Sequence, residues 1–332
     1  MKQVHMTRTF KTVALPLGLA ALIGTLGAQT TAQSGAMIKV SMVLNWFPEP
    51  EAGGFYAAVK DGLYKARGLD LSIVSGGPGV AGQALLVSNR VQFATLDSPT
   101  VLLGRDQGIP LVGIFSTFQT FPQGLMSHEE QAITSFGDLA GRTVAVSPGA
   151  AYWEYIEKKY NLAGKVQVLN YNGQLADWQR DKARVTQNYV TSEPYYAIKA
   201  GSKPKTLLVA NSGFNPYGNL MTVTEDYLKN NPKTVQAFIE ASQEGWRRYL
   251  ANPSKYNDVM MEANKELTPE YMTYAAAAEK QLIAGGDAGK YGIGYMSDAR
   301  WKTVYTQLSD LKLLKNPLDV KTAYSMTLFP KK

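Results

Sequence analysis

The segment Asn45-Trp46-Phe47-Pro48-Glu49-Pro50 sets an indole and a carboxamide side by side in a run stiffened by prolines. Proline fixes its own φ and restricts the residue before it, so side chains there hold a set direction. Trp46 offers a face to a planar ring, or else a cap for the core, and Asn45 brings one donor group and one acceptor. Glu193, in Thr191-Ser192-Glu193-Pro194-Tyr195, stands at the predicted start of a helix. A carboxylate there either complements the helix dipole or accepts two hydrogen bonds from adjacent N–H groups, such as those of an aminopyrimidine. Asp97-Ser98 poses the same choice between helix cap and ligand contact. Tyr152 and Trp153, after a second-series strand, repeat the aromatic arrangement of Trp46 and suggest a clamp. Gly77-Pro78-Gly79-Val80-Ala81-Gly82 has the spacing of a dinucleotide-binding turn, with Asp97 about 20 residues on. The same turn also reads as helix amides offered to another ligand, or as plain tight geometry.

Several catalytic classes fall away on composition. The chain has no Cys and two His, His5 and His128, so thiolate chemistry is excluded and imidazole chemistry is confined to one residue beyond the leader. His128-Glu129-Glu130 opens like a zinc-protease motif, but Ala132 occupies the place of the second His, and the segment reads as a solvated loop. No metal or cofactor is expected. The formal net charge is +7, of which Lys2, Arg8 and Lys11 supply three, and no basic run suits nucleic acid.

The elements that must position these residues alternate in type. Apolar runs at 38–44, 69–74, 93–96 and 111–118 predict strands, with helices over 54–66, 80–88 and 100–107 between them. A second series follows: strands at 143–146, 166–171, near Tyr189 and at 206–209, with helices over 150–160, 175–182 and from Pro194. Alternation of this kind predicts parallel sheets, and two series predict two lobes. Long helices close the chain over 232–250, 269–284 and 297–312, each opened by Pro or a hydroxyl cap. The Pro-, Gly- and aromatic-rich stretches 117–126 and 211–224 read as hinges, with Tyr217, Phe118 and Tyr56 as candidate walls. The expected division is lobe I at 37–120 and 222–332, and lobe II at 121–221.

Lys2, Arg8 and Lys11 precede an apolar run over 12–27 that ends in small residues, the pattern of an export signal at 1–32. The run falls short of the roughly 20 residues that a membrane-spanning helix needs. With no Cys to acylate, the expected product is a free periplasmic monomer.

In the order of its motifs the chain resembles the transporter-associated binding proteins related to thiamine pyrimidine precursor binding and pyrimidine synthesis. The resemblance rests on Leu44-Asn45-Trp46-Phe47-Pro48-Glu49-Pro50 with Gly54-Phe55-Tyr56-Ala57-Ala58, the Gly76-Gly77-Pro78 turn, the run from Phe136 to Val144, and Ser192-Glu193-Pro194. It implies an α/β type II periplasmic binding protein with two lobes, two hinge crossovers and a ligand enclosed between them. It further implies an ABC permease as partner and a thiamine pyrimidine precursor as ligand, with riboflavin or an alkanesulfonate or taurine-type anion as alternatives on the same frame. Asn45, Trp46 and Glu193 match the positions that meet the pyrimidine in that family. Glu49 to Gly53 depart from it, since pyrimidine binders usually carry an Asn and a His there. A pyrimidine-synthesising branch uses a lysine-bound pyridoxal cofactor, a consumed histidine and a cysteine cluster. This chain lacks the cysteines and has no His in the first lobe, so no enzyme activity is expected.

Overall fold

The computed structural model describes residues 36–330, and the export signal expected at 1–32 lies outside them. Four strands open the chain: β1 (Ile38–Val43), β2 (Leu69–Val74), β3 (Phe93–Leu96) and β4 (Leu111–Phe118). Five more follow, β5 (Gln123–His128), β6 (Thr143–Val146), β7 (Gln167–Asn170), β8 (Val185–Tyr189) and β9 (Pro204–Leu208), before β10 (Gly218–Thr224). They build two five-stranded sheets, in the orders β2-β1-β3-β10-β4 and β7-β6-β8-β5-β9. The chain therefore passes between sheets twice, through residues 119–122 and 209–217.

Both sheets are mixed, where alternation alone predicts parallel ones. β10 runs antiparallel to β3 and β4, and β5 runs antiparallel to β8 and β9. These are the two strands that arrive from the opposite lobe. Each enters its sheet from the hinge side, where the parallel strands end, and so must run against them. Sequence composition had merged both strands into the hinges.

In the first lobe the core forms where the helix Gly53–Lys60 lies on the helix Pro232–Ala251. Small residues allow the close approach: a Cβ at Gly54 would fall 2.1 Å from the Trp246 ring, and one at Gly245 would fall 2.2 Å from the Gly54 carbonyl oxygen. Phe93 and Phe238 stack beside them at 3.9 Å with ring planes 12° apart. Each such aromatic, fully buried, contributes roughly 1.5–3 kcal/mol. The helix expected over 54–66 stops at Lys60, because Gly62 turns through φ +68 and the chain then tightens into a short 3₁₀ turn, Lys65–Arg67.

One arginine joins both crossovers. Arg300 donates from Nε to the Asn215 carbonyl at 2.6 Å and from Nη2 to the Pro216 carbonyl at 2.8 Å, while its Nη1 donates to the Gln119 carbonyl. Its guanidinium also lies 4.1 Å over the Tyr217 ring. Burial pulls its pKa down to about 10, so it stays charged at neutral pH.

Candidate ligand-binding cleft

Between the two sheets lies a cavity of about 210 Å³. From the first lobe Asn45, Trp46, Glu49 and Glu51 line it, all on the segment that leaves the carboxyl end of β1. That is where open α/β sheets present their loops to ligands. The tight turn Gly76-Gly77 holds this segment in place: a Cβ at Gly76 would lie 2.2 Å from the Leu44 oxygen, and one at Gly77 would meet the Phe47 ring at 3.0 Å. Gly77 has φ +141, so glycine is required there for conformation as well as for space.

Trp46 stands half-buried at the mouth, edge-on to Phe47 at 5.4 Å, and its far ring edge comes within 3.7 Å of the Cβ position of Gly173 in the other lobe. Asn45 donates from Nδ2 to Asn219 Oδ1 at 3.1 Å. The second lobe contributes Gln123, Ser147, Tyr171, Gln187, Asn188, Tyr189, Ser192 and Glu193. Glu193 begins the helix Glu193–Lys199 and accepts from Tyr171 Oη at 2.8 Å and from the Tyr189 amide at 2.7 Å. Burial pushes its pKa above the usual carboxylate range.

Glu49 and Glu51 join Glu193 in the same cavity. Tyr271 Oη donates to Glu49 at 2.5 Å, and Thr191 Oγ1 donates to Glu51 at 2.5 Å, across the lobes. Burial raises Glu49 to about 7, with the Glu193 charge adding to the effect. Burial again leads for Glu51, reinforced by Glu49 and Glu193, and brings it to about 8. Glu279, on the helix Pro269–Ala284, is fully buried, and burial together with Glu51 drives its pKa far up.

The other expected site residues scatter. Asp97 and Tyr152 line an adjoining cavity of about 240 Å³, which shares Gln123, Ser147, Gln187 and Tyr189 with the first. Tyr152 Oη donates to Gln187 at 2.8 Å, and Asp97 caps its helix by accepting from the Thr100 amide at 2.7 Å. Trp153, the other half of the expected clamp, is 5% exposed inside the hydrophobic core. Successive helix positions point about 100° apart, so only one of Tyr152 and Trp153 faces the cleft. Ser98 is buried and exchanges hydrogen bonds with the backbone of Tyr217, which is itself buried below Arg300. Gly77 supports the Trp46 turn rather than lining the cavity. His128 is no solvated loop: it ends β5, is 1% exposed, and stacks on Trp178 at 3.6 Å.

Chemically the cleft combines one large aromatic face with three carboxyl groups, and among the described residues no Lys, Arg or His lines it. Among the described residues no group of His, Cys, Asp and Glu is arranged to hold a metal ion. Also among them, no helix is long and apolar enough to cross a membrane.

Two α/β lobes, two crossovers and an interlobe cleft define the class as the two-lobed periplasmic binding-protein fold. The chain belongs to the NMT1/THI5-like family, whose model matches residues 49–256. It is 26% identical over 310 residues to the riboflavin-binding protein RibY of Chloroflexus aurantiacus, covering 88% of this chain and 86% of that one. It is 24% identical over 332 residues to the formylaminopyrimidine-binding protein of Halalkalibacterium halodurans, covering 96% and 98%. Among solved structures, the periplasmic aliphatic sulphonate binding protein SsuA from Escherichia coli superposes with a TM-score of 0.66 at 14% identity, over 86% of this chain and 91% of that one.

Proposed function

We propose that the protein is the substrate-binding component of an ABC importer, exported to the periplasm, and that it captures a nitrogen-rich aromatic ring of the aminopyrimidine type. The observation that carries this reading is the placing of Trp46 and Glu193 on opposite lobes around a cavity of about 210 Å³. A planar ring fits against the indole while its N–H groups meet a carboxylate already oriented by Tyr171 and the Tyr189 amide. Closure then follows from contacts available only when both lobes reach the ligand. An anion such as a sulfonate finds three carboxyl groups and, among the described residues, no cation lining the cavity, and desolvating it there is costly.

A larger flavin-type ligand is a second reading. The adjoining cavity at Asp97 and Tyr152 favours it by extending the space, as does the similarity to a riboflavin-binding relative.

A tryptophan-fluorescence titration with formylaminopyrimidine, riboflavin and an alkanesulfonate separates these ligands. Saturable response to the pyrimidine, weakened at least tenfold in Glu193→Gln (about 1.4 kcal/mol), is the expected result. Response to the sulfonate alone refutes the reading, and turnover of any of these ligands into a product refutes the carrier role.

A further inference from the structure

The run Pro48-Glu49-Pro50-Glu51 turns two carboxyl groups into one cavity, where Glu193 meets them from the other lobe. The side chains that donate to them, Tyr271, Thr191 and Tyr171, do so through neutral hydroxyls. Among the described residues no ion pair includes any of the three. A buried carboxylate without a countercharge is unfavourable unless it is protonated or receives a cation. An independent feature points to ligand contact at the same place: Asn188 is 1% exposed and lines the cavity, and neither atom of its side-chain amide has a hydrogen-bond partner. Buried polar groups are nearly always paired, so this amide is left for something that enters the cleft.

We propose that Glu49 and Glu51 select a ligand carrying a delocalised positive charge on an N–C–N edge, an amidinium-type planar cation, with Asn188 completing the set of polar contacts. The inference rests on the reading of this cleft as a ligand site and adds the charge of the ligand to it. A planar cation suits all three features at once. It presents a flat face to Trp46, paired N–H donors in the geometry a carboxylate accepts, and the countercharge that the cavity lacks. Without a cation beside them, burial favours the protonated forms of Glu49 and Glu51, whose pKa values rise to about 7 and about 8. Glu193 alone would suffice for a neutral aminopyrimidine; two further carboxyl groups facing it call for charge.

The test needs no variant at first. Calorimetric titration at pH 7.5 compares benzamidine, a planar amidinium, with benzamide, its neutral isostere, and with benzenesulfonate. Benzamidine should bind at least tenfold more tightly than benzamide, and benzenesulfonate should not bind. In Glu49→Gln and Glu51→Gln the benzamidine-to-benzamide preference should fall at least tenfold. Equal or tighter binding of benzamide by the unmodified protein overturns the inference, as does an unchanged preference in both variants. The two readings fail separately. Saturable binding of formylaminopyrimidine without discrimination between benzamidine and benzamide removes the charge requirement and leaves the carrier intact. Failure of every aromatic probe to bind removes both.

Discussion

Replacing Glu51 by Gln should flatten the dependence of the empty protein's stability on pH. In the unfolded chain this carboxyl titrates near 4.5, and in the folded protein near 8. As pH rises from 4.5 the unfolded state releases its proton while the native state keeps it, so stability present below pH 4.5 is lost progressively up to about pH 8. The sign is opposite to that of a carboxylate held by an arginine. At about 1.4 kcal/mol per unit, the whole interval corresponds to at most about 5 kcal/mol. Retaining roughly half of that, because a polar interior relaxes around charge, gives a fall in Tm on the order of 5 °C. Glu49, raised to about 7 by the same burial, adds to the slope. The assay is differential scanning fluorimetry of ligand-free protein between pH 5 and pH 8.5, unmodified and Glu51→Gln side by side. A Tm that does not fall over this range in the unmodified protein, or that falls equally in the variant, refutes the reasoning.

Other outcomes follow from the packing. Gly54→Ala drives a methyl group into the Trp246 ring, where a Cβ would lie 2.1 Å away, and should cost about 1–3 kcal/mol in urea unfolding with ligand affinity falling as the Trp46 segment shifts. Trp46→Ala should leave Tm within a few degrees, since the ring is only half-buried, yet weaken the pyrimidine by roughly tenfold or more in calorimetry. Arg300→Ala leaves the carbonyls of Gln119, Asn215 and Pro216 without their donor and should destabilise by about 3 kcal/mol, measured by chemical denaturation. Trp178→Leu removes the stack on His128 and an indole that donates to the Met126 carbonyl at 3.2 Å, and should cost about 2–4 kcal/mol without touching the cleft.

The elements whose signal is local were legible in the sequence. β1 to β4, the helix Ala151–Lys159 and the long helices from Pro232, Pro269 and Asp298 carry their own periodicity, proline starts and glycine stops. β5 and β10 were not legible. Gln123–His128 and Gly218–Thr224 follow Pro122 and Pro216 and contain glycine, so by composition they look like hinge. They are strands because each is gripped on both sides by partners distant in the chain. The cleft divides the same way. Asn45, Trp46 and Glu193 sit at strand ends, and a strand end can be found from periodicity. The inward facing of Glu49 and Glu51 depends on the short 3₁₀ turn Pro50–Ala52, and Asn188 and Gln187 on the register of β8, neither of which composition encodes. A signal for Glu49 and Glu51 was present all the same, in two prolines alternating with two acids where the family pattern differs.

The arginine that joins the crossovers has a mechanical corollary. Two chain segments passing separately between the lobes form a loose pair of ropes, and bodies tied that way can shear and twist as well as open. Fastened to one guanidinium, the segments at Gln119 and at Asn215-Pro216 behave as a single rod. Any opening of the lobes should then run about one line, as covers turn on a spine. On the proposed carrier reading, the gap between Trp46 and Glu193 then reduces to one coordinate, along which the thickness of a ligand is gauged.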